Sequence, residues 1–333
     1  MSVLEALNRG PCVSIEVVPP ERGAGLDELL RAVEAVMSHG PAFASVTDHM
    51  GGAAVAEADG RAVLRPARRK PGSLGSAVAI QKRFGITTVP HVLALGQDRF
   101  SLEDMLIDIH YAGFEDIFVV RGDDRRSGPR PHAAPPGGGL GDQRAGYAHA
   151  VDVVRHAADL NGGRYLSGNG HTAPTSFQIG VAGYPGKHFE SPNPEADSAH
   201  LKEKIDAGAS YVITQMVFDP DTYARYVERL RNAGIRVPVI PGVKPVTSLS
   251  QASSLPGAFY IDVPADLLAR LESARTRDQE RAAGIAWTAD LVEALIGAGA
   301  PGVHFFTMGK GLATKAVLDA VFGGTRLGAG RVA

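Results

Sequence analysis

An acidic residue stands inside an apolar run: Val13-Ser14-Ile15-Glu16-Val17-Val18, closed by Pro19-Pro20. A carboxylate in a dry core costs several kcal/mol unless it is paired or protonated. Three readings of Glu16 follow. It sits at a solvated point of the strand, it forms a structural ion pair (with Arg121 as partner), or the cost of burying it is tolerated for a functional reason. Other polar residues recur at the ends of apolar runs: Thr47-Asp48-His49, His91, Arg121-Gly122-Asp123, Tyr184, Thr214-Gln215, Lys244, and Thr307 with Lys310. Each has a structural reading when taken alone. Asp123 suits a turn, His91 a satisfied core histidine, and His188 a solvated loop. Lys244 at a strand end could carry Schiff-base chemistry. No metal site is expected, because H-E-x-x-H and C-x-x-C are absent and the histidines lack ligand spacing. A G-x-S-x-G elbow is also absent, which disfavours a serine hydrolase.

These residues need elements to hold them. Eight short apolar runs read as strands, at 13–18, 43–47, 87–95, 116–120, 177–182, 211–217, 237–243 and 302–308. Helical patterns lie between most of them. After Asp219, a capping residue, and Pro220, a first-turn residue, Tyr223, Val227 and Leu230 share one face, and Gly234 ends the run. Strands alternating with helices in this number predict an α/β protein with a single (β/α)8 TIM barrel over residues 1–333. An open doubly wound sheet competes, but no early strand is followed by G-x-G-x-x-G. In a barrel every strand points its carboxyl end at one mouth, where loops carry function. Period-two geometry puts Ser14 and Glu16 inside, with Val13, Ile15 and Val17 against helices. Residues 51–75, 124–146 and 161–176 break the pattern, and the last two read as long loops at the mouth.

Composition narrows the function classes. The 34 Lys and Arg nearly balance 36 Asp and Glu, so the basic excess of a nucleic-acid binder is missing. Cys12 is the single cysteine, which excludes an internal disulfide. No secretory signal pattern opens the sequence and no apolar run could span a bilayer, so a cytoplasmic protein is expected. A homo-oligomer is expected too, since such assemblies are common.

The motifs SIEVVPP, ASVTDH, VPHVLAL, VVRGDD, VAGYPGKHFES, LKEKIDAGASYVITQMVFD, VIPGVKPVTS and VHFFTMGK occur in this order. Together they resemble methylenetetrahydrofolate reductases of the bacterial type, from about residue 13 to residue 322. The resemblance implies a barrel holding FAD, and an oxidoreductase that reduces 5,10-methylenetetrahydrofolate to 5-methyltetrahydrofolate with NADH or NADPH in ping-pong fashion. It implies that Glu16 is the acid that opens the folate's methylene bridge, and that Asp123 lies near the flavin and folate rings. It assigns flavin contacts to Thr47, His91, Arg121, Gly122, Tyr147, Ala148, Tyr184, His188, Asp197 and Lys204. Gln215, Gln251 and Lys310 match folate-site positions, Lys310 standing where some members have arginine. The sequence departs from the family at Val17 and Val18, often aromatic elsewhere, at Asp48, often tyrosine, and at His200 and Glu203. Distant relatives that work without flavin, a proline-dehydrogenase-like flavin barrel, and a flavin- or folate-binding subunit that needs a partner are the competing readings.

Overall fold

In the computed structural model of the chain, residues 1–50, 68–122 and 146–323 are described in full, and strands 52–58 and 61–67 by their backbone. Ten strands run in chain order: β1 (Cys12–Val17), β2 (Phe43–Val46), β3 (Gly52–Ala58), β4 (Arg61–Ala67), β5 (Thr87–Leu93), β6 (Asp116–Val120), β7 (Gln178–Gly183), β8 (Ala209–Met216), β9 (Val239–Val243) and β10 (Gly302–Phe306). Eight of them close into a barrel in the order β1-β2-β5-β6-β7-β8-β9-β10. Every pairing in the barrel is parallel, and β1 meets β10 with Ser14 opposite His304 and Glu16 opposite Phe306. All eight strands read from the sequence are barrel strands.

The helices are α1 (Val3–Asn8), α2 (Asp27–Glu34), α3 (Ser73–Phe84), α4 (Arg99–Tyr111), α5 (Ala150–Asn161), α6 (Pro194–Asp206), α7 (Pro220–Asn232), α8 (Leu249–Phe259), α9 (Ala265–Glu272), α10 (Arg277–Gly297) and α11 (Gly311–Phe322). Their ends follow local chemistry. Asp219 caps α7 by accepting from the Asp221 and Thr222 amides, Pro220 opens the helix, and Gly234 takes φ of 80° just past its end. Among the described residues, no helix is long and apolar enough to cross a membrane.

Two apolar layers form the core. Val13, Ile15 and Val17 of β1 join the large outer layer, packed with Leu29 and Val33 of α2. Phe43, Val89, Phe118, Tyr211, Ile213 and Ile240 fill the barrel interior with Val3 and Leu7 of α1. The barrel is therefore a packed body closed at one end by the N-terminal helix, with the polar side chains of its mouth at the other.

One stretch differs from its sequence reading. Within the 51–75 segment, β3 and β4 pair antiparallel, with Ala58 opposite Arg61. The sequence places Asp59-Gly60 between two runs of small and apolar residues, a strong hairpin signal that the alanine and arginine content obscures. Residues 162–177 run without helix or strand, and the Pro/Gly-rich segment 124–146 lies outside the described residues but for Gly146.

Candidate active site

Strand alternation builds the mouth. Inward positions continue from the interior as Glu16 on β1, Thr47 past β2, His91 on β5, Gly122 past β6, Tyr184 past β7, Gln215 on β8 and Lys244 past β9. Glu16 keeps 15% of its side-chain surface. Burial pushes its carboxyl up to about 8, so the group is largely protonated at neutral pH. His91 Nε2 lies 3.7 Å from Glu16 Oε2, and the His91 ring meets Phe118 at a tilt of 41°, with centroids 4.9 Å apart. Burial, with the charge of His49 adding to it, pushes His91 down to about 3, so the imidazole is neutral. The ion pair between Glu16 and Arg121 does not form. Arg121 instead makes a two-pronged pair with Glu190.

A polar layer that the sequence reading missed lies beneath Glu16. His304 is fully buried on β10, with Nδ1 2.8 Å from Ser14 Oγ and Nε2 3.3 Å from Ser45 Oγ. Burial and the nearby His91 push it down to about 3. One ring thus ties three neighbouring strands together under the acid. The signal was present in the alternation: His304 lies opposite Ser14, and Ser14 shares Glu16's face.

A second cluster gathers behind β6 and β7. Tyr184 and His188 meet edge to face at 4.8 Å. Asp197 of α6, buried, accepts from the His188 amide at 3.1 Å and from Ser191 Oγ at 2.9 Å. Lys204 donates to the Ala182 carbonyl at 2.9 Å, and burial, opposed by Asp197, pushes its ammonium down to about 8. Burial and the Arg121 charge lower His188. Gly122, with φ of 93°, lies under Met50, whose sulfur would be 3.0 Å from an added Cβ.

The remaining positions are more scattered. Tyr147 hydrogen-bonds His156 at 3.0 Å, the Arg99 guanidinium lies 5.0 Å from its ring centre, and Ala148 beside it is exposed. Gln215 folds back to accept from the Met216 amide at 2.9 Å. Gln251, in the first turn of α8, accepts from the Thr247 amide at 3.0 Å. Lys310 is exposed at the start of α11. Asp123 lies outside the described residues. Among the described residues, no three His, Cys, Asp or Glu side chains come together as metal ligands would.

Fold and site define a parallel eight-stranded barrel with a protonated carboxyl at its mouth. The sequence profile described as methylenetetrahydrofolate reductase matches residues 3–321, and the chain belongs to that family. It is 28% identical over 305 residues to the probable methylenetetrahydrofolate reductase (NADH) of Oryza sativa, covering 89% of this chain and 45% of that one. It is 28% identical over 300 residues to the 5,10-methylenetetrahydrofolate reductase of Salmonella typhimurium, covering 90% of this chain and 86% of the relative. The chain thus spans under half the length of the plant relative and most of the bacterial one. A solved Clostridium thermocellum protein, described as binding two copies of 5-methyl-5,6,7,8-tetrahydrofolic acid, shares the fold with a TM-score of 0.58 at 13% identity, over 96% of this chain and 98% of that one.

Proposed function

We propose that this protein reduces 5,10-methylenetetrahydrofolate to 5-methyltetrahydrofolate at the expense of NADH or NADPH, with Glu16 as the general acid. Glu16 carries the reading. It is an inward carboxyl at the mouth of the barrel, raised to about 8 by burial. The folate's methylene bridge opens when its leaving nitrogen is protonated, and a carboxyl of that pKa holds a proton to give at neutral pH. The neutral His91 at 3.7 Å supports it, since an imidazolium there would pull the proton off Glu16. Gln215, Gln251 and Lys310 are assigned to the folate by family resemblance, and Asp123 to a place beside the reacting rings. The Clostridium relative of the fold binds the product of this reaction, which agrees with a folate at the mouth.

The residues present suit FAD. Thr47 Oγ1 and His91 Nε2 are buried without a hydrogen-bond partner among the described residues, as polar atoms awaiting a ligand would be. Arg121 and Lys204 supply cationic donors suited to a pyrophosphate. Tyr184 and His188 offer ring faces, and Asp197 holds the His188 loop in place. When bound, FAD relays hydride from the reduced nicotinamide to the folate. The chain's own contribution is position and the proton on Glu16.

The visible spectrum of the purified protein, taken anaerobically before and after NADH or NADPH and then after methylenetetrahydrofolate, tests this. A yellow protein that is bleached by the dinucleotide and recoloured by the folate is expected. A colourless, folded protein that reduces the folate would remove FAD from the proposal. A yellow protein that never reacts with the folate would remove the activity.

A further inference from the structure

The loop after β7 carries Tyr184 and His188, and α6 carries Asp197 and Lys204, all four assigned to the flavin by family resemblance. Between the two rings the chain runs Pro185-Gly186-Lys187. Pro185 has no amide hydrogen to donate, and Gly186 is exposed, with open space where a Cβ would stand. Packing therefore does little to fix this turn. Arg229 of α7 reaches it from outside the assigned set. Its Nη2 donates to the Pro185 carbonyl at 2.9 Å and, at a longer 3.5 Å, to the Gly186 carbonyl. Its Nε donates to Ser198 Oγ at 3.2 Å. Ser198 is buried on α6 next to Asp197, and its hydroxyl donates to the Pro194 carbonyl at 2.9 Å. One guanidinium thus ties the turn to α6. The arm is held in its turn by Tyr226, which precedes Arg229 by one helical turn, with the guanidinium 5.2 Å from the ring centre. Tyr226 is fully buried, and a Cβ on Gly183, where β7 ends, would fall 2.4 Å from its Oη. Among the described residues, every hydrogen bond of Arg229 goes to a neutral acceptor. Used in this way, the planar fork fixes the path of a backbone and neutralises no charge.

We propose that Arg229 is a positioning residue for the cofactor site, holding the Tyr184–His188 turn against α6 in the conformation that receives FAD. The inference rests on the proposed function, which places FAD at these residues. A loop that binds in one conformation loses apparent affinity in proportion to the time it spends in others. Arg229 keeps the competent fraction high before FAD arrives. Its effect therefore shows in the flavin-free chain as well as in the affinity.

Hydrogen exchange and fluorescence titration with FAD, both on the flavin-free full chain, test this for wild type, Arg229→Met and Arg229→Lys. Arg229→Met should weaken FAD binding at least about tenfold. The hydrogen-bonded amides of His188 and Ser191 should exchange faster in it, while those of β8 keep their protection. Lysine keeps the charge but has no fork, so it does not hold the turn and Ser198 together. Arg229→Lys should therefore weaken FAD binding by at least about threefold. Wild-type affinity in the lysine variant would show that charge alone matters and would overturn the positioning role. Faster exchange spread evenly over α7 and the barrel would show a role in the fold at large and overturn it too. Should Arg229→Met not fold, the lysine variant decides alone. Equal FAD affinity in wild type and Arg229→Met refutes this inference and leaves the cofactor reading standing. A wild-type chain that binds no FAD refutes both.

Discussion

The carboxyl of Glu16 on β1 and the imidazole of His91 on β5 face each other at 3.7 Å across the mouth, and burial holds both in their neutral forms. Burial moves the two groups in opposite directions, the acid up and the base down, so neither ionises at the expense of the other. An acid that keeps its proton beside a base that refuses one is ready to protonate a third party.

The pH dependence of folate reduction follows. The active form of Glu16 is the protonated one and its pKa is about 8. The folate-reducing step should therefore be flat below pH 8 and fall about tenfold per pH unit above it. Glu16→Gln keeps the shape but has no acidic proton. It should slow that step by at least about 10²-fold while leaving NAD(P)H consumption in the first half-reaction intact. Stopped-flow measurement of the two half-reactions checks this. Equal slowing of both would return Glu16 to a structural role.

At the closed end of the barrel, Asp116 accepts from the Val3 amide at 3.2 Å and so anchors α1 beneath the interior. Burial pushes its carboxyl up to about 7 from an ordinary value of 3.8, partly offset by that hydrogen bond. A raised folded pKa means the native state holds the proton more tightly than the unfolded chain. The resulting stability is full below about pH 4 and is lost as pH rises through 7. Asp116→Asn still accepts from Val3 and has no charge to bury. It should unfold at higher denaturant than wild type at pH 8, with the gap closing at pH 4. A gap independent of pH would show that Asp116 does not titrate in this way.

The tie under the acid has its own signature. His304→Leu leaves the Ser14 and Ser45 hydroxyls without the ring that holds them at 2.8 and 3.3 Å. Each stranded buried hydroxyl costs about 1–3 kcal/mol, so a loss of roughly 2–6 kcal/mol of stability is expected. His304→Gln, which can still donate and accept, should recover part of it. Denaturant midpoints for the two variants decide the matter. Equal midpoints in both would mean that the ring only fills space.

The barrel was legible because its strands are short apolar runs separated by capped helices, and Asp219-Pro220 marks a helix start in the structure as it does in the sequence. The face of Glu16 was legible for the same reason, since period two leaves it no other side. Partners across the barrel were harder. The choice of Glu190 over Glu16 by Arg121 depends on where the loop after β7 folds, 69 residues away. His304 and Ser14 are separated by 290 residues and meet only because the barrel closes. The closing role of α1 was missed although Ser2 and Glu5 form a capping box readable from their spacing. A six-residue helix is too short to announce itself by periodicity.

The support of Tyr147 yields the last prediction. Tyr147 hydrogen-bonds His156 at 3.0 Å, and His156 in turn meets Glu103 at 2.8 Å, where Glu103 also accepts from the Leu166 amide at 3.0 Å. Glu103 and His156 are both buried, so this carboxyl organises a tyrosine that the family resemblance assigns to the flavin. Removing one member of a buried hydrogen-bonded pair strands the other, at a cost of about 1–3 kcal/mol. Glu103→Ala should lose roughly that much stability and bind FAD more weakly, because His156 no longer fixes the tyrosine ring. Glu103→Gln still accepts from Leu166 and meets His156, so it should fall between the two. Chemical denaturation read beside fluorescence titration with FAD separates the effects. Lost stability with unchanged FAD affinity would confine Glu103 to the fold. Affinity falling in step with the loosened Tyr147, and recovering in the glutamine variant, would tie the buried pair to the cofactor site.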